Sequence, residues 1–365
     1  MPINVLMVAH FSERSGWGQA SVNMAECLNS NPEINLICRD LPVGKKDVWS
    51  ELVKSLCNKP LDGIEYCLQL LLPHHMEYAP FKKCVGMFFN ETSDYIYTSW
   101  PTTLNLLDEI WIPYPSEAHT LSGIRNKVRV INPPVDINKY TQNVDKLDLP
   151  VNGSYTFYYI GEFNKRKNLP LLIRAFHEEF GHHEPVSLVI KTNEPGKSQQ
   201  ETAESIINVC NTIKAGLKLR KRYHNEIIIT EYLSEEDMAR LHTTCDCFVM
   251  PSRGEAICLP LLDAIGYGKH VITSNSTSMS YIMTQVGYKP TDLINGRDTT
   301  VFGMTDTFDD LFTSNEHWYE PDIFSLRDLM RRAYQNNLSG SSVGFRQIFN
   351  YNTVSNQVIK AFLDN

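Results

Sequence analysis

The sequence lacks long apolar runs. None of its stretches approaches the roughly 18 uninterrupted apolar residues that a membrane-spanning helix needs. The apolar run that begins at Ile3 is short and has no basic residues before it, so it does not resemble a secretory signal. The composition therefore predicts a protein with neither a leader nor a transmembrane segment.

Paired cysteines are also missing. The 9 cysteines are scattered, no C-x-x-C motif occurs, and Cys245 and Cys247 are the closest pair. This usage favours neither a disulfide framework nor a zinc site, so we expect no bound metal. It indicates a reducing compartment, which is the cytoplasm, or the cytoplasm of the host if the protein is viral.

An excess of basic charge is absent too. The chain has 34 Lys and Arg against 42 Asp and Glu, a net charge of -8 at pH 7. This balance gives no general attraction to nucleic acid or anionic lipid, although it leaves room for a local basic groove. The 42% of apolar residues is typical of a soluble globular protein, and 365 residues suffice for two domains.

The sequence does contain short β-rich runs that alternate with amphipathic helical stretches. The predicted strands are Ile3–Ala9, Ile34–Cys38, Lys83–Phe89, Glu109–Pro113, Lys127–Ile131, Tyr155–Ile160, Val186–Lys191, Glu226–Thr230, Cys247–Met250 and His270–Thr273. The predicted helices are Gln19–Leu28, Asp47–Cys57, Leu169–Phe180, Gln199–Arg222, Glu235–His242, Leu259–Tyr267, Leu326–Asn336 and Val354–Leu363. Such alternation is typical of parallel sheets covered by helices on both faces. We therefore predict an α/β protein with two Rossmann-like, doubly wound domains.

A polar segment at 141–154, which contains Pro150 and Gly153, is the predicted domain boundary. The N-terminal domain would cover 1–150 and the C-terminal domain 151–340. Residues 341–365 would form a helical tail that could pack back on the first domain.

Two acids lie eight positions apart in the otherwise apolar stretch 254–272. Glu255 follows the predicted strand Cys247–Met250, and ligands of open α/β sheets bind at the carboxyl ends of strands. Asp263 lies further along the next predicted helix. The pair could bind hydroxyl groups of a ligand, or it could be two incidental acids beside a core helix.

The start of that helix is a candidate anion site. Pro260 suits a first helical turn, where its missing N–H costs nothing. The backbone amides of Ile257, Cys258 and Leu259 would then point towards a phosphate group.

Two further segments follow predicted strands. Lys165, Arg166 and Lys167 come after Tyr155–Ile160 and could clamp a diphosphate, although a solvated basic loop is the alternative. Gly16 and Gly18 follow the first strand and would let backbone approach a phosphate. Because Ser21 stands at the third glycine position of G-x-G-x-x-G, this segment alone is weak support for a dinucleotide site.

These segments together resemble the group 1, or family 4, glycosyltransferases of the GT-B fold. Residues 230–272 resemble the family's E-x7-E region, here E-x7-D, and residues 161–176 resemble its phosphate-binding loop and helix. Residues 108–140 and 86–100 resemble the end of the N-terminal domain and a Glu-Thr segment of some members. The resemblance covers most of residues 1–275 and implies two domains that face each other across a cleft.

The resemblance also implies roles for single residues. The C-terminal domain would bind a UDP- or GDP-sugar, with Glu255 on the transferred sugar and Asp263 on the ribose. Lys167, helped by Arg166, would hold the diphosphate, and the amide of Gly18 and those at the helix start would assist. Glu255 and Lys167 would be the catalytic residues.

The family resemblance further implies a hexosyl or pentosyl transfer that retains anomeric configuration without a metal or other cofactor. The acceptor, bound on the N-terminal side, would be a saccharide or glycan precursor. Glu91 and His10 are candidates for positioning the acceptor or the sugar. The charge of the departing diphosphate would be stabilised by cations and helix amides.

Two positions depart from the family pattern. Glu162 follows the glycine of the phosphate loop, where many members have arginine. A carboxylate at this position would repel a diphosphate, so either it points away or Arg166 and Lys165 take over the role of the arginine. Asp263 is one methylene shorter than glutamate, which would weaken a direct ribose contact or require a water molecule.

Three other functions stay open. A viral-type transferase acting on a hydroxymethylated base in DNA would share the fold, although the net charge weighs against it. A sugar-nucleotide epimerase would react without an acceptor, and an inactive sugar-nucleotide-binding module would not depend on Lys167 or Glu255.

Overall fold

The computed structural model describes residues 2–44, 47–93, 95, 98–115, 123–151, 153–218, 222–301 and 314–364. Its strands are β1 Ile3–Ala9, β2 Ile34–Asp40, β3 Tyr66–Leu70, β4 Lys83–Met87, β5 Glu109–Ile112, β6 Lys127–Val130, β7 Tyr155–Ile160, β8 Val186–Lys191, β9 Ile227–Ile229, β10 Cys247–Met250, β11 His270–Thr273, β12 Gly296–Thr300 and β13 His317–Pro321. Its helices are α1 Gly16–Asn29, α2 Glu51–Cys57, α3 Trp100–Leu104, α4 Leu169–Glu179, α5 Gln199–Leu217, α6 Glu235–Thr244, α7 Leu259–Gly266, α8 Thr277–Gln285, α9 Ile323–Gln335, α10 Val343–Ile348 and α11 Tyr351–Leu363.

The described residues form two compact units. Unit 1 comprises those within Met1–Lys139, Thr300–His317 and Arg346–Asn365, and unit 2 comprises those within Tyr140–Thr299 and Trp318–Phe345. Unit 1 contains a six-stranded sheet of order β2-β1-β3-β4-β5-β6, and unit 2 a five-stranded sheet of order β11-β10-β7-β8-β9. Neighbouring strands in both sheets are parallel. The predicted α/β class with parallel sheets is confirmed.

The central strands of the unit 2 sheet are buried along their whole length. All six residues of β7 and all four of β10 are buried, as expected for strands covered on both faces. Helix α4 follows β7 and has Leu172, Ile173 and Phe176 among its buried residues. Its start is set by Pro170 in the first turn and by Asn168, which adopts a left-handed φ of 56°.

Of the strands and helices given above, six have no counterpart among the predicted ones: β3, β12, β13, α3, α8 and α10. Strand β3 lies between β1 and β4, and its sequence YCLQL has neither alternation nor β-branched residues. Its buried Gln69 is accommodated because Glu77 supplies an amide donor at 2.9 Å and a carbonyl acceptor at 2.6 Å. Helix α8 has a polar, serine-rich start, so the pattern of apolar residues does not predict it.

Helix α5 is shorter than predicted. It begins at Gln199, where Ser198 and Glu201 form a reciprocal capping box, and it ends at Leu217. Lys218 follows in a left-handed conformation with φ 52°, which stops the helix before Arg222. Residues 219–221 of the predicted helix lie outside the described residues.

Two segments are assigned to their units by long-range contacts, and the predicted domain limits stay a prediction. Residues 140–150 group with unit 2, where the Leu147 amide donates to the Thr244 hydroxyl at 2.7 Å. Residues 346–364 group with unit 1, where the ring of Phe362 lies 4.9 Å from those of Tyr66 and Trp111. Tertiary contacts, rather than local composition, make these assignments.

All nine cysteines are free. Within the described ranges, no helix is both long and apolar enough to cross a membrane. Among the same residues, no group of three or more His, Cys, Asp or Glu side chains is arranged to hold a metal ion.

Candidate active site

The candidate site lies in unit 2, where two loops follow neighbouring strands. Residues 161–168 follow β7 and residues 251–258 follow β10, and β7 pairs with β10 in the sheet. Because parallel strands end at the same edge, the two loops lie side by side. The amide of Arg253 donates to the carbonyl of Arg166 at 2.8 Å, which joins the loops directly.

The carboxylate of Glu255 is the centre of this site. Its side chain is buried, and Oε2 accepts a hydrogen bond from Nζ of Lys167 at 2.7 Å. Oε1 accepts from Nη1 of Arg166 at 2.9 Å and from the hydroxyl of Ser252 at 2.6 Å. The structure therefore brings together Glu255, Lys167 and Arg166, which sequence reasoning had chosen from two separate segments.

Electrostatics keep Glu255 ionised. Burial by itself would raise the pKa of this carboxyl group, but the charges of Lys167 and Arg166 and the hydrogen bonds from Lys167 and Ser252 outweigh burial, so its pKa lies below its usual value. We call Glu255, Lys167 and Arg166 the Glu255 cluster. These three side chains contain one carboxylate and two cations, so their charges sum to about +1 at neutral pH. A group of this charge favours an additional anion.

Polar residues of the surrounding loops hold the site in place. The amide of Lys167 donates to Oδ1 of Asn164 at 2.9 Å. The amide of Glu255 donates to the Thr277 hydroxyl at 3.0 Å, and the Ser278 hydroxyl donates to the Glu255 carbonyl at 2.8 Å. Sequence reasoning missed Ser252, Asn164 and Thr277; their position after a strand or at a helix start was the available signal.

Glu162, the departure in the phosphate loop, has a local partner. Its Oε2 accepts from the side-chain amide of Asn164 at 2.9 Å, and its carbonyl accepts from the hydroxyl of Tyr159 at 3.2 Å. The hydrogen bond from Asn164 gives this carboxylate a neutral partner within its own loop.

Asp263, the second acid of the E-x7-D pair, has a partner in Tyr140. It lies on α7, is partly buried, and accepts a hydrogen bond from the hydroxyl of Tyr140 at 2.7 Å. Gly266, one turn later, is required here because a Cβ atom would lie 2.4 Å from the Tyr140 ring. The predicted ribose contact of Asp263 stays a prediction.

The start of α7 has the predicted helical form. Leu259 is its first residue, Pro260 lies in the first turn, and Cys258 is the N-terminal cap residue. Burial raises the pKa of the Cys258 thiol to about 12, so this thiol is protonated at neutral pH. The first amides of an α-helix have no intrahelical acceptor. Because Pro260 has no N–H and the Leu261 amide donates to the Cys258 carbonyl at 2.9 Å, the amides of Cys258 and Leu259 are the ones suited to an anion.

Four predicted site residues lie in unit 1. Gly18, in α1, packs so closely on the Glu13 backbone that a Cβ atom would lie 1.7 Å from the Glu13 carbonyl oxygen, whereas a Cβ atom on Gly16 would meet nothing within 4 Å. His10 is buried, and its Nδ1 lies 2.7 Å from the Leu41 carbonyl. Glu91 is partly buried in the loop after β4.

Comparison with known proteins supports the family resemblance. Residues 143–286 match the family model of group 1 glycosyl transferases. The serotype-specific mannosyltransferase WbdA of Escherichia coli is 28% identical over 146 residues, which are 39% of this chain and 16% of that protein. The chain thus aligns with only about a sixth of that relative. The part of this chain that matches the family model contains Glu255, Lys167 and Arg166.

Solved structures with the same fold cover the whole chain. Sucrose-phosphate synthase of Thermosynechococcus elongatus has a TM-score of 0.64 at 13% identity, with 99% of this chain and 98% of that chain covered. A UDP-forming trehalose-phosphate synthase of Burkholderia xenovorans has a TM-score of 0.62 at 9% identity, with 100% of both chains covered. These likenesses show the GT-B fold, and the predicted resemblance to group 1 glycosyltransferases is confirmed.

Proposed function

We propose that this protein transfers a sugar from a nucleoside diphosphate sugar to the hydroxyl of an acceptor. One observation carries the proposal: the buried carboxylate of Glu255 is bound by both Lys167 and Arg166 at the carboxyl edge of the unit 2 sheet. An acid alone would favour a hydroxyl ligand, and two cations alone an anion. Their combination suits a sugar linked to a diphosphate.

The chemistry follows from the hydrogen-bonding capacity of these side chains. An ammonium group has three donors and a guanidinium group five, so Lys167 and Arg166 are able to keep Glu255 and still donate to phosphate oxygens. As the bond between the sugar and the diphosphate breaks, negative charge grows on the leaving group. The net positive cluster and the first amides of α7 stabilise that charge.

The finer features of the reaction belong to the same proposal. Fixed cations offset the diphosphate charge, so we propose a metal-independent reaction. The family resemblance supports the further proposal that the reaction retains the anomeric configuration. A UDP- or GDP-sugar is the donor and a saccharide or glycan precursor the acceptor. Asp263 binds the ribose, and Gly16, Gly18, Glu91 and His10 of unit 1 stay candidate ligand-binding residues.

The experiment starts with a thermal-shift screen of nucleotide sugars, followed by a transfer assay with the donor that stabilises the protein. A ligand at 100 times its Kd adds about 2.7 kcal/mol of stability, which such a screen detects. We expect Lys167→Ala and Glu255→Gln each to lower kcat/KM by about 100-fold or more, comparable to the loss of an oxyanion-stabilising donor. Lys54→Ala, which removes an exposed cation of unit 1, serves as the control and should keep the wild-type rate.

Wild-type rates in both site variants would disprove the assignment of Lys167 and Glu255. Conversion of the donor without any acceptor would identify an epimerase instead. Addition of a chelator should leave the transfer rate unchanged, and the product should carry the anomeric configuration of the donor.

A further inference from the structure

Arg253 lies next to the proposed phosphate loop and contacts its backbone twice. Its amide donates to the carbonyl of Arg166 at 2.8 Å, and its Nη1 donates to the carbonyl of Lys165. Its side chain is only 15% exposed, so the guanidinium is held within the structure. Arg253 thus contacts the backbone from which the side chains of Arg166 and Lys167 extend.

The other side of Arg253 is fixed by β13. Nε and Nη2 form a bidentate pair with the carboxylate of Glu320, at 2.5 and 3.0 Å. The guanidinium lies 5.5 Å from the ring centroid of Trp318, and the Tyr319 amide donates to the Arg253 carbonyl at 2.8 Å. Planar pairing of this kind fixes orientation as well as charge.

Arg253 differs in its ion pair from the residues proposed to bind the diphosphate. The charge of Arg253 is offset by Glu320, whereas Lys167 and Arg166 both pair with Glu255. We propose that Arg253, oriented by Glu320, is a positioning residue that keeps residues 165–167 in place for the reaction. This inference rests on the proposed function. A misplacement of about 1 Å in a catalytic group is enough to cost a reaction about 100-fold.

Hydrogen–deuterium exchange tests the structural half of this proposal without any substrate. In Arg253→Gln and in Glu320→Gln, we expect the amides of residues 162–168 to exchange at least 10-fold faster than in the wild-type protein. Arg174→Gln is the matched control, because Arg174 also lies in unit 2, on α4, and its side chain pairs with Glu178 while remaining 57% exposed. Unchanged exchange in both site variants, measured on folded protein, would overturn the proposal.

Transfer kinetics test the functional half. We expect Arg253→Gln to lower kcat at least 10-fold, with Arg253→Lys in between because lysine cannot form the bidentate pair. In the double variant of Arg253→Gln and Lys167→Ala, kcat should fall by less than the product of the two single reductions. A lysine that is already displaced contributes less to the reaction, so its removal has a smaller effect. Faster exchange with wild-type kcat, or fully multiplicative effects, would also overturn the proposal. If the wild-type protein transfers no sugar, the proposed function fails while the exchange experiment still reports on loop positioning.

Discussion

At the scale of single residues, the environment of Glu255 is the most informative feature of the molecule. Its partners Lys167 and Arg166 follow a different strand, 88 and 89 positions earlier in the chain. Sequence reasoning found all three because each follows a predicted strand and matches a family motif. It missed Ser252 and Thr277, because a hydroxyl residue after a strand or at a helix start is a common feature, and only the structure shows that these two contact Glu255.

Titration of His270 gives a prediction at the same scale. Burial lowers the pKa of His270 to about 4, against 6.5 for the free side chain. Because the unfolded chain takes up this proton first, the stabilising effect is complete above about pH 6.5 and is lost as the pH falls towards 4. Between pH 7.5 and pH 5, the free energy of unfolding should fall by about 2 kcal/mol through this residue alone.

Urea unfolding at the two pH values measures this effect as a difference between proteins. His270→Gln should lack the contribution, so its stability should depend less on pH than that of the wild-type protein. His182→Gln, at an exposed position, should behave like the wild type. Equal pH dependence in all three proteins would contradict a lowered pKa of the partly buried His270 imidazole.

At the scale of elements, strands with strong apolar and β-branched content were predictable, and β3 was not. Strand β3 is buried throughout and includes a glutamine whose partners come from Glu77, so only the tertiary structure makes it a strand. The end of α5 shows the same limit, since the left-handed Lys218 breaks a pattern that continues in the sequence. Local propensity determines which segments are able to form a strand or helix, and tertiary packing determines which of them do so.

The two glycines in the first turn of α1, Gly16 and Gly18, give different predictions for the stability of their alanine variants. Gly18→Ala places a Cβ atom 1.7 Å from the Glu13 carbonyl oxygen, so backbone must move; we expect a loss of about 3 kcal/mol or more in unfolding free energy. Gly16→Ala meets nothing within 4 Å and should be neutral or stabilising by up to about 1 kcal/mol. Chemical denaturation of both variants measures the difference.

If Gly18→Ala were as stable as the wild-type protein, the close contact with Glu13 would be wrong. A role of Gly18 in phosphate binding alone would leave stability unchanged. The pair of variants therefore separates a packing requirement from a ligand requirement at this segment.

At the scale of the whole molecule, repeated strand–helix alternation was enough to predict two parallel sheets. The full-length likeness to GT-B structures at 9 and 13% identity shows that this fold persists where little sequence is shared. The limits of the units were less predictable, because residues 140–150 and 346–364 are assigned by long-range contacts such as that between Tyr140 and Asp263. The net charge of -8 coexists with a local cluster of about +1, so the whole-chain charge does not describe the site.

The most direct test of the central claim is isothermal titration of UDP and GDP into the wild-type protein and into Lys167→Met, with Lys54→Met as the control. We expect one of the two nucleotides to bind the wild-type and control proteins, and Kd to rise at least 10-fold in Lys167→Met, which is a loss of about 1.4 kcal/mol. The difference should shrink as salt is added, because the contact is between charges. Equal affinity in all three proteins, or no binding of either nucleotide to the wild type, would contradict a diphosphate site at Lys167 and Glu255.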